Sequence, residues 1–303
     1  MLVVFRFALM VVSNDFDDSS PTPYAQRFRM PAILHLLLIL ISSLGFASLL
    51  QSSAEDPAVK PSQDENGPSM IVFSKTSGFR HQSIPQGVAC FRQLGADLGL
   101  EVIATEDASM FTAENLADVS VVVFLNTTGD VLDQPQQDAF EAYIRAGGSW
   151  LGVHAAADTE YEWPFYGRLV GAYFKSHPAI QEARITVEIR NHPSTRMLPG
   201  LWRRTDEWYT YKMSPREGVT VLASLDEGSF TGGGMNGDHP IAWCHEFEGG
   251  RALYTGGGHT AASYEEREFK AHLRGSLAWL IGSEPSPPTS PKESSDGGAS
   301  EAD

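Results

Sequence analysis

The segment Val119-Ser-Val-Val-Val-Phe-Leu125 is the strongest constraint on how this chain folds. It is apolar almost throughout and shows no polar alternation. A strand of that kind is covered on both faces, as in parallel sheets flanked by helices. Its neighbours fit that setting. Met70-Ile-Val-Phe-Ser74, Glu101-Val-Ile-Ala-Thr105 and Ser149-Trp-Leu-Gly-Val153 read as further short strands. Pro85 to Leu98 reads as a helix, with Val88, Phe91, Leu94 and Leu98 on one face. Pro135 opens a second helix that stops at Gly147-Gly148, proline first and glycine last. Strands alternating with helices imply parallel pairing by crossovers. Ligands then gather at the carboxyl ends of the strands.

The pattern changes near Arg184. Arg184 to Ile189, Val219 to Ser224 and Pro240 to Phe247 alternate as half-buried strands. Gly249-Gly250 then turns the chain into Arg251 to Thr255, a hairpin. Ser263-Tyr-Glu-Glu266 reads as a capping box starting a last helix that runs to about Ile281. The expected fold is α/β, mostly parallel, with a β-rich second half and no internal repeat.

The ends differ from this core. Residues 1–54 form an N-terminal extension. In it Arg27 and Arg29 precede Met30, an apolar run and the small residues around Ser42 to Ala47. That is the order of a secretory signal peptide, with translation starting at Met30 and an uncleaved anchor as the alternative. Export is therefore expected: periplasmic, secreted or N-terminally membrane-anchored. Residues 55–69 read as a polar linker, 70–282 as the folded domain and 283–303 as a disordered acidic tail. The chain has 22 Lys and Arg against 38 Asp and Glu, a formal charge of −16. Such a surface argues against nucleic acid and against electrostatic membrane binding, because phosphates need clustered cations. Cys90 and Cys244 make neither a disulfide framework nor a zinc pattern, although one bridge between them stays open. The sequence does not set the oligomeric state.

Polar residues gather where strands end. Gly78-Phe79-Arg80-His81 follows the first strand, His154-Ala-Ala-Ala-Asp158 the fourth, and Gly256-Gly257-Gly258-His259 the last. Phe174-Lys-Ser-His177-Pro178 adds a fourth histidine. One loop histidine is usually bland. Three at the ligand edge of one sheet suit acid–base work or metal ligation. Gly152-Val153-His154-Ala155-Ala156 has the layout of a nucleophile elbow, with histidine in place of Ser or Cys. An acyl-enzyme mechanism lacks its nucleophile here, so glutamine hydrolysis is disfavoured. Asp206-Glu207-Trp208-Tyr209 sets two carboxylates beside two aromatics: a partner for a histidine and a wall for a sugar face, or a plain acidic turn. Gly232-Gly-Gly-Met-Asn-Gly237 matches a dinucleotide motif formally, but no strand-to-helix unit surrounds it, so it reads as a mobile loop. Asn126-Thr127-Thr128 is a formal glycosylation sequon to which no role is given.

Taken in order, GFRHQSI (78–84), GVHAAADT (152–159), FKSHP (174–178), DEWY (206–209) and GGGH (256–259) resemble the trehalose-utilisation, or ThuA-like, domain. The resemblance covers about residues 70–282. It implies a flavodoxin-like three-layer sandwich of the class I glutamine amidotransferase-like kind, with the nucleophilic cysteine of that fold replaced by His154. It also implies a link to disaccharide catabolism, particularly of trehalose and its 3-keto derivatives.

Three functions follow as expectations. The first is an exported enzyme acting on a small-molecule carbohydrate: a disaccharide, glycoside or keto-sugar. Its catalytic residues would be His154, Glu207 and His259. His81, Arg80, Asp158, His177, Trp208 and Tyr209 would bind substrate. The reaction could be a hydrolysis, lyase or isomerase step begun by proton abstraction beside a keto group. The second is a metal-dependent hydrolase. No motif demands a cofactor, but zinc or another divalent ion would suit His154 and His259 with Glu207 or His81. The third is a non-catalytic sugar-binding or interaction module.

Overall fold

The computed structural model describes residues 67–283. The signal segment, most of the linker and nearly all of the acidic tail lie outside the described residues. Five strands form the parallel part of one nine-stranded sheet: β1 (Ser69–Phe73), β2 (Glu101–Thr105), β3 (Val119–Leu125), β4 (Ser149–Val153) and β11 (Gly250–Thr255). Their order is β2-β1-β3-β4-β11, every neighbouring pair parallel. The sheet continues antiparallel through β10 (His239–Phe247), β9 (Thr220–Leu225), β6 (Gln181–Val187) and β7 (Leu201–Asp206). A separate antiparallel pair joins β5 (Phe174–Ser176) to β8 (Thr210–Tyr211).

The helices follow from local chemistry. α1 (Ile84–Leu98) carries Pro85 in its first turn and ends at Gly99, whose φ of 70° closes the helix with its N–H on Ala96. After the short α2 (Ala113–Leu116), α3 (Gln134–Arg145) opens with a reciprocal Asp133–Gln136 capping box. α4 (Pro164–Val170) and α5 (Arg267–Leu280) complete the set. α1 packs on α5, and α2 on α3. Strands β1 and β4 are buried at every residue and β3 at all but Ser120, the burial that the uninterrupted apolar runs demand. Phe124 sits in the core with Phe140, Trp150 and Tyr166, its ring stacked on Tyr166 at 5.6 Å.

Two readings need correction. Ser263 does not cap the last helix. Thr260 caps a short 3-10 turn over Ala261–Glu265, and α5 starts beyond it with no side-chain cap. The second half also holds β7, which the alternation rule overlooks. Its inward-facing residues are Trp202, Arg204 and Asp206, two of them charged. Cys90 and Cys244 are both buried and free, so no bridge joins them.

The sheet must curl. β7 lies four interstrand steps from β11, roughly 19 Å in a flat sheet. Yet Asp206, at the end of β7, accepts a hydrogen bond from Gly258 N, just past β11, at 2.8 Å. The antiparallel strands therefore bend back toward the carboxyl edge of the parallel ones.

Candidate active site

Three parallel strands deliver histidines to one edge. His81 follows β1, His154 is the first residue after β4, and His259 follows β11. His154 has φ of 49°, a left-handed backbone that a β-carbon disfavours. This is the sharp turn expected of an elbow, and it turns the imidazole into a fully buried position. β7 supplies the fourth member, Glu207, directly after Asp206.

One ligand-capable atom from each of His81, His154, Glu207 and His259 lies within 4.8 Å of every other. Three of these atoms form a tight triangle. His154 Nε2 is 3.2 Å from His259 Nδ1 and 3.4 Å from Glu207 Oε2, and His259 Nδ1 is 3.1 Å from Glu207 Oε2. Ligands about 2.0–2.1 Å from a tetrahedral zinc ion stand about 3.3 Å apart, so the triangle has the edge lengths of a metal site. The tautomer of His154 is fixed as well. Its Nδ1 lies 2.9 Å from the carbonyl of Gly256, which can only accept, so Nδ1 carries a proton, and in the neutral ring Nε2 presents a lone pair. Metal-binding histidines are commonly oriented this way. His81 stands edge-on to both other rings, with centroids 5.0 Å away, and its buried Nδ1 has no hydrogen-bond partner.

Electrostatics separate these groups. Burial, reinforced by the neighbouring His154 and His259, lowers His81 to about 3, so it stays neutral. Burial opposes ionisation of Glu207, but the adjoining imidazoles of His154 and His259, which bond and attract the carboxylate whenever they are protonated, outweigh it. Its carboxyl is held well below the usual range. The other oxygen of Glu207 accepts from His177 Nδ1 at 3.0 Å. That nitrogen also faces the carbonyl of Pro178 at 2.9 Å, so it is a donor. His177 is the open side of the group, with its side chain 43% exposed against 20% for His259 and none for His154.

Asp206 holds the arrangement together, a role sequence reading missed. It is fully buried and accepts from Gly258 N at 2.8 Å, His259 N at 3.2 Å, Glu207 N at 3.0 Å and Ser263 Oγ at 2.9 Å. Arg204 pairs with it at 3.0 Å. The glycines of GGGH are required by this closeness. A β-carbon on Gly257 would meet Arg204 at 2.2 Å, and Gly258 has φ of 112°. The signal in the sequence was the adjacency of Asp206 to Glu207, whose partner could not be read from spacing.

The other expected residues divide. Tyr209 joins the cluster, its ring 4.2 Å from that of His154. Arg80 turns to the surface and pairs with Glu106 through two hydrogen bonds. Asp158 accepts from the hydroxyl of Tyr161 at 2.6 Å. Trp208 is fully buried and donates to the carbonyl of Gln181, with Arg204 over its ring. The structure does not bring these three into the cluster. The 232–237 loop is pinned: Glu227 accepts from Met235 N and Gly237 N and pairs with His239 at 2.9 Å. A groove of about 410 Å³ lined by Leu116, Ala139, Ala142 and Tyr143 opens at the opposite end of β3 and carries none of this chemistry.

With that geometry in place, the comparisons are decisive. The sequence matches the ThuA family, described as trehalose utilisation, over residues 69–280. The chain belongs to the ThuA family. A ThuA-like protein from Bacteroides uniformis ATCC 8492 is 26% identical, with a TM-score of 0.61 over 73% of this chain and 95% of that one. One from Parabacteroides merdae ATCC 43184 is 18% identical, with a TM-score of 0.60 over 72% and 91%, a likeness of fold. The β-galactosidase of Rahnella sp. R3 shares the fold alone, at 14% identity and TM-score 0.50 over 72% of this chain and 32% of that one. A search of curated proteins finds no match.

Proposed function

We propose that this ThuA protein is a carbohydrate-active enzyme whose centre is a divalent metal ion held by His154, His259 and Glu207, with His81 beside them. The observation that carries the reading is the triangle of Nε2, Nδ1 and Oε2 atoms 3.1–3.4 Å apart. Three nitrogen and oxygen ligands that left a further position to substrate would suit a catalytic rather than a structural site. Such an ion supplies Lewis acidity, polarising a carbonyl or hydroxyl oxygen of the sugar. The chain does the rest. The Gly256 carbonyl holds the Nε2 lone pair of His154 inward, and Asp206 fixes the His259 backbone. His177, bonded through Nδ1 to Glu207, leaves Nε2 to exchange a proton with substrate at the open side. A keto group on the sugar would acidify the adjacent C–H, so proton abstraction opens a route to cleavage or isomerisation. The family's association with trehalose utilisation supports a disaccharide, glycoside or keto-sugar as substrate.

A second reading has its own observation. Glu207 contacts three imidazoles at 3.0–3.4 Å without needing an ion. In that case His154 and His259 are the acid and base, and Glu207 is their partner. Metal content of the purified protein, with turnover of trehalose and 3-ketotrehalose before and after chelation, separates the two. Turnover that survives full metal removal supports the metal-free route. Sugar bound but never converted makes the protein a binding module. We also read the layering as flavodoxin-like, supported by the α1–α5 and α2–α3 packing. The order of residues 27–47 supports export, which fractionation of cells expressing the full chain tests.

A further inference from the structure

Phe79 is the one aromatic among the exposed large apolar side chains of the described residues, at 66% exposure. The others are Ile180, Met197, Leu201 and Met213. A single exposed apolar residue usually needs no explanation. Phe79 is different because its position is enforced. Gly78 N donates to both the carbonyl and the hydroxyl of Thr128, and the same hydroxyl donates to the carbonyl of Phe79 at 2.9 Å. Ser77 N and Oγ add bonds to the carbonyls of Thr128 and Asp130. A phenyl ring kept in water on a fixed backbone needs no backbone ordering when something covers it. Its other neighbour is the centre itself: the ring stands edge-on to His81, with centroids 4.9 Å apart.

We propose that Phe79 is a specificity-determining platform for a second sugar ring, so that the preferred substrate is a disaccharide or glycoside rather than a monosaccharide. This rests on the carbohydrate reading above. The reacting group lies over the His154–His259–Glu207 triangle. The next ring lies toward Phe79, which borders His81, and lays the apolar C–H face of a pyranose on the phenyl ring. Aromatic faces take up such a surface because it sheds water without a polar group being left unpaired.

The test is calorimetric binding by the full-length protein, with trehalose and 3-ketotrehalose as two-ring probes and glucose and 3-ketoglucose as their one-ring counterparts. Phe79→Ala should weaken whichever two-ring probe binds the parent protein by roughly tenfold, the order expected when part of a phenyl face no longer covers sugar. It should leave one-ring binding within about twofold, and Phe79→Trp should restore the two-ring affinity. Metal content and melting temperature should stay close to the parent's, since the side chain is 66% exposed and touches the centre only at the edge of His81, outside the triangle. Equal loss for one-ring and two-ring sugars, or no loss for either, overturns the platform while the carbohydrate reading stands. A parent protein that binds none of the four overturns both.

Discussion

Two groups of histidines among the described residues behave differently. The first is His81, His154 and His259 with Glu207. The second is His192 and His272, beside Cys244 and Ser194. Burial lowers basicity in both: His81 to about 3, His192 and His272 to about 4. An unpartnered nitrogen also occurs in both, His81 Nδ1 and His272 Nε2. Neither property marks a site. The difference lies in what the remaining nitrogens meet. His192 Nδ1 bonds the hydroxyl of Ser194 at 2.7 Å and accepts from its N–H at 3.2 Å, and His272 Nδ1 donates to the carbonyl of Ser194 at 3.0 Å. The Cys244 thiol, pushed by burial up to about 12, lies 3.7 Å from His192 Nε2. These are polar groups closing on one another inside a core that includes Trp202 and Trp279. The first group adds a carboxylate and gathers three ligand-capable atoms around one point, which a packed core does not require.

Exchanging the losses is the sharpest way to break this contrast. His154→Ala should reduce turnover by about 10³-fold or more and remove bound metal, while the melting temperature falls little. His272→Ala should do the reverse, costing roughly 2–4 kcal/mol of stability in denaturant titration through its cavity and lost hydrogen bond, with kcat kept within about twofold. If both variants lose turnover alike, the two groups are not functionally distinct. Asp206→Asn comes next. It touches no triangle atom, yet metal affinity should drop roughly 10–100-fold by competition with a chromogenic chelator, as for other residues that orient ligands.

Acid should affect the packed group in a defined window. In the folded chain His192 and His272 stay neutral down to about pH 4. In the unfolded chain each takes a proton near 6.5. The unfolded state therefore binds more protons as pH falls, and stability is full above about 6.5 and declines toward about 4. For His272 alone the loss is on the order of 3 kcal/mol, and His272→Gln should flatten the urea-midpoint profile over that range. The smallest effect is expected at Arg80. Its ion pair with Glu106 is half exposed, so Arg80→Ala should cost less than about 1 kcal/mol. Turnover should stay within about threefold, and a larger fall would return Arg80 to the substrate.

The first half of the fold was legible because its strands carry uninterrupted apolar runs and its helices carry proline and glycine at their ends. Three of the motifs also pointed to one edge of the sheet, since His81, His154 and His259 each follow a parallel strand. The rest was hidden for physical reasons. β7 buries Arg204 and Asp206, so its alternation reads as polar. Trp208 stands next to Glu207 in sequence, but its ring turns into the core and bonds Gln181. Successive residues point opposite ways at a strand end, so adjacency in DEWY said nothing about which member faces the centre. Ser263 has the spacing of a cap but spends its hydroxyl on Asp206, 57 residues away.

β11 is the last strand of the described chain, yet it pairs with β4 on one side and β10 on the other. During synthesis, about a hundred residues separate the appearance of β4 from that of β11, roughly 5–20 s at ordinary elongation rates. Throughout that interval the nascent chain carries an unpaired strand edge whose side chains are apolar on both faces, a template for misassociation. Arrival of residues 250–259 fills that edge and brings His259 to its partners. The ribosome thus releases solubility and chemical competence together, and a product that stops before residue 250 should be both inert and a client for chaperones.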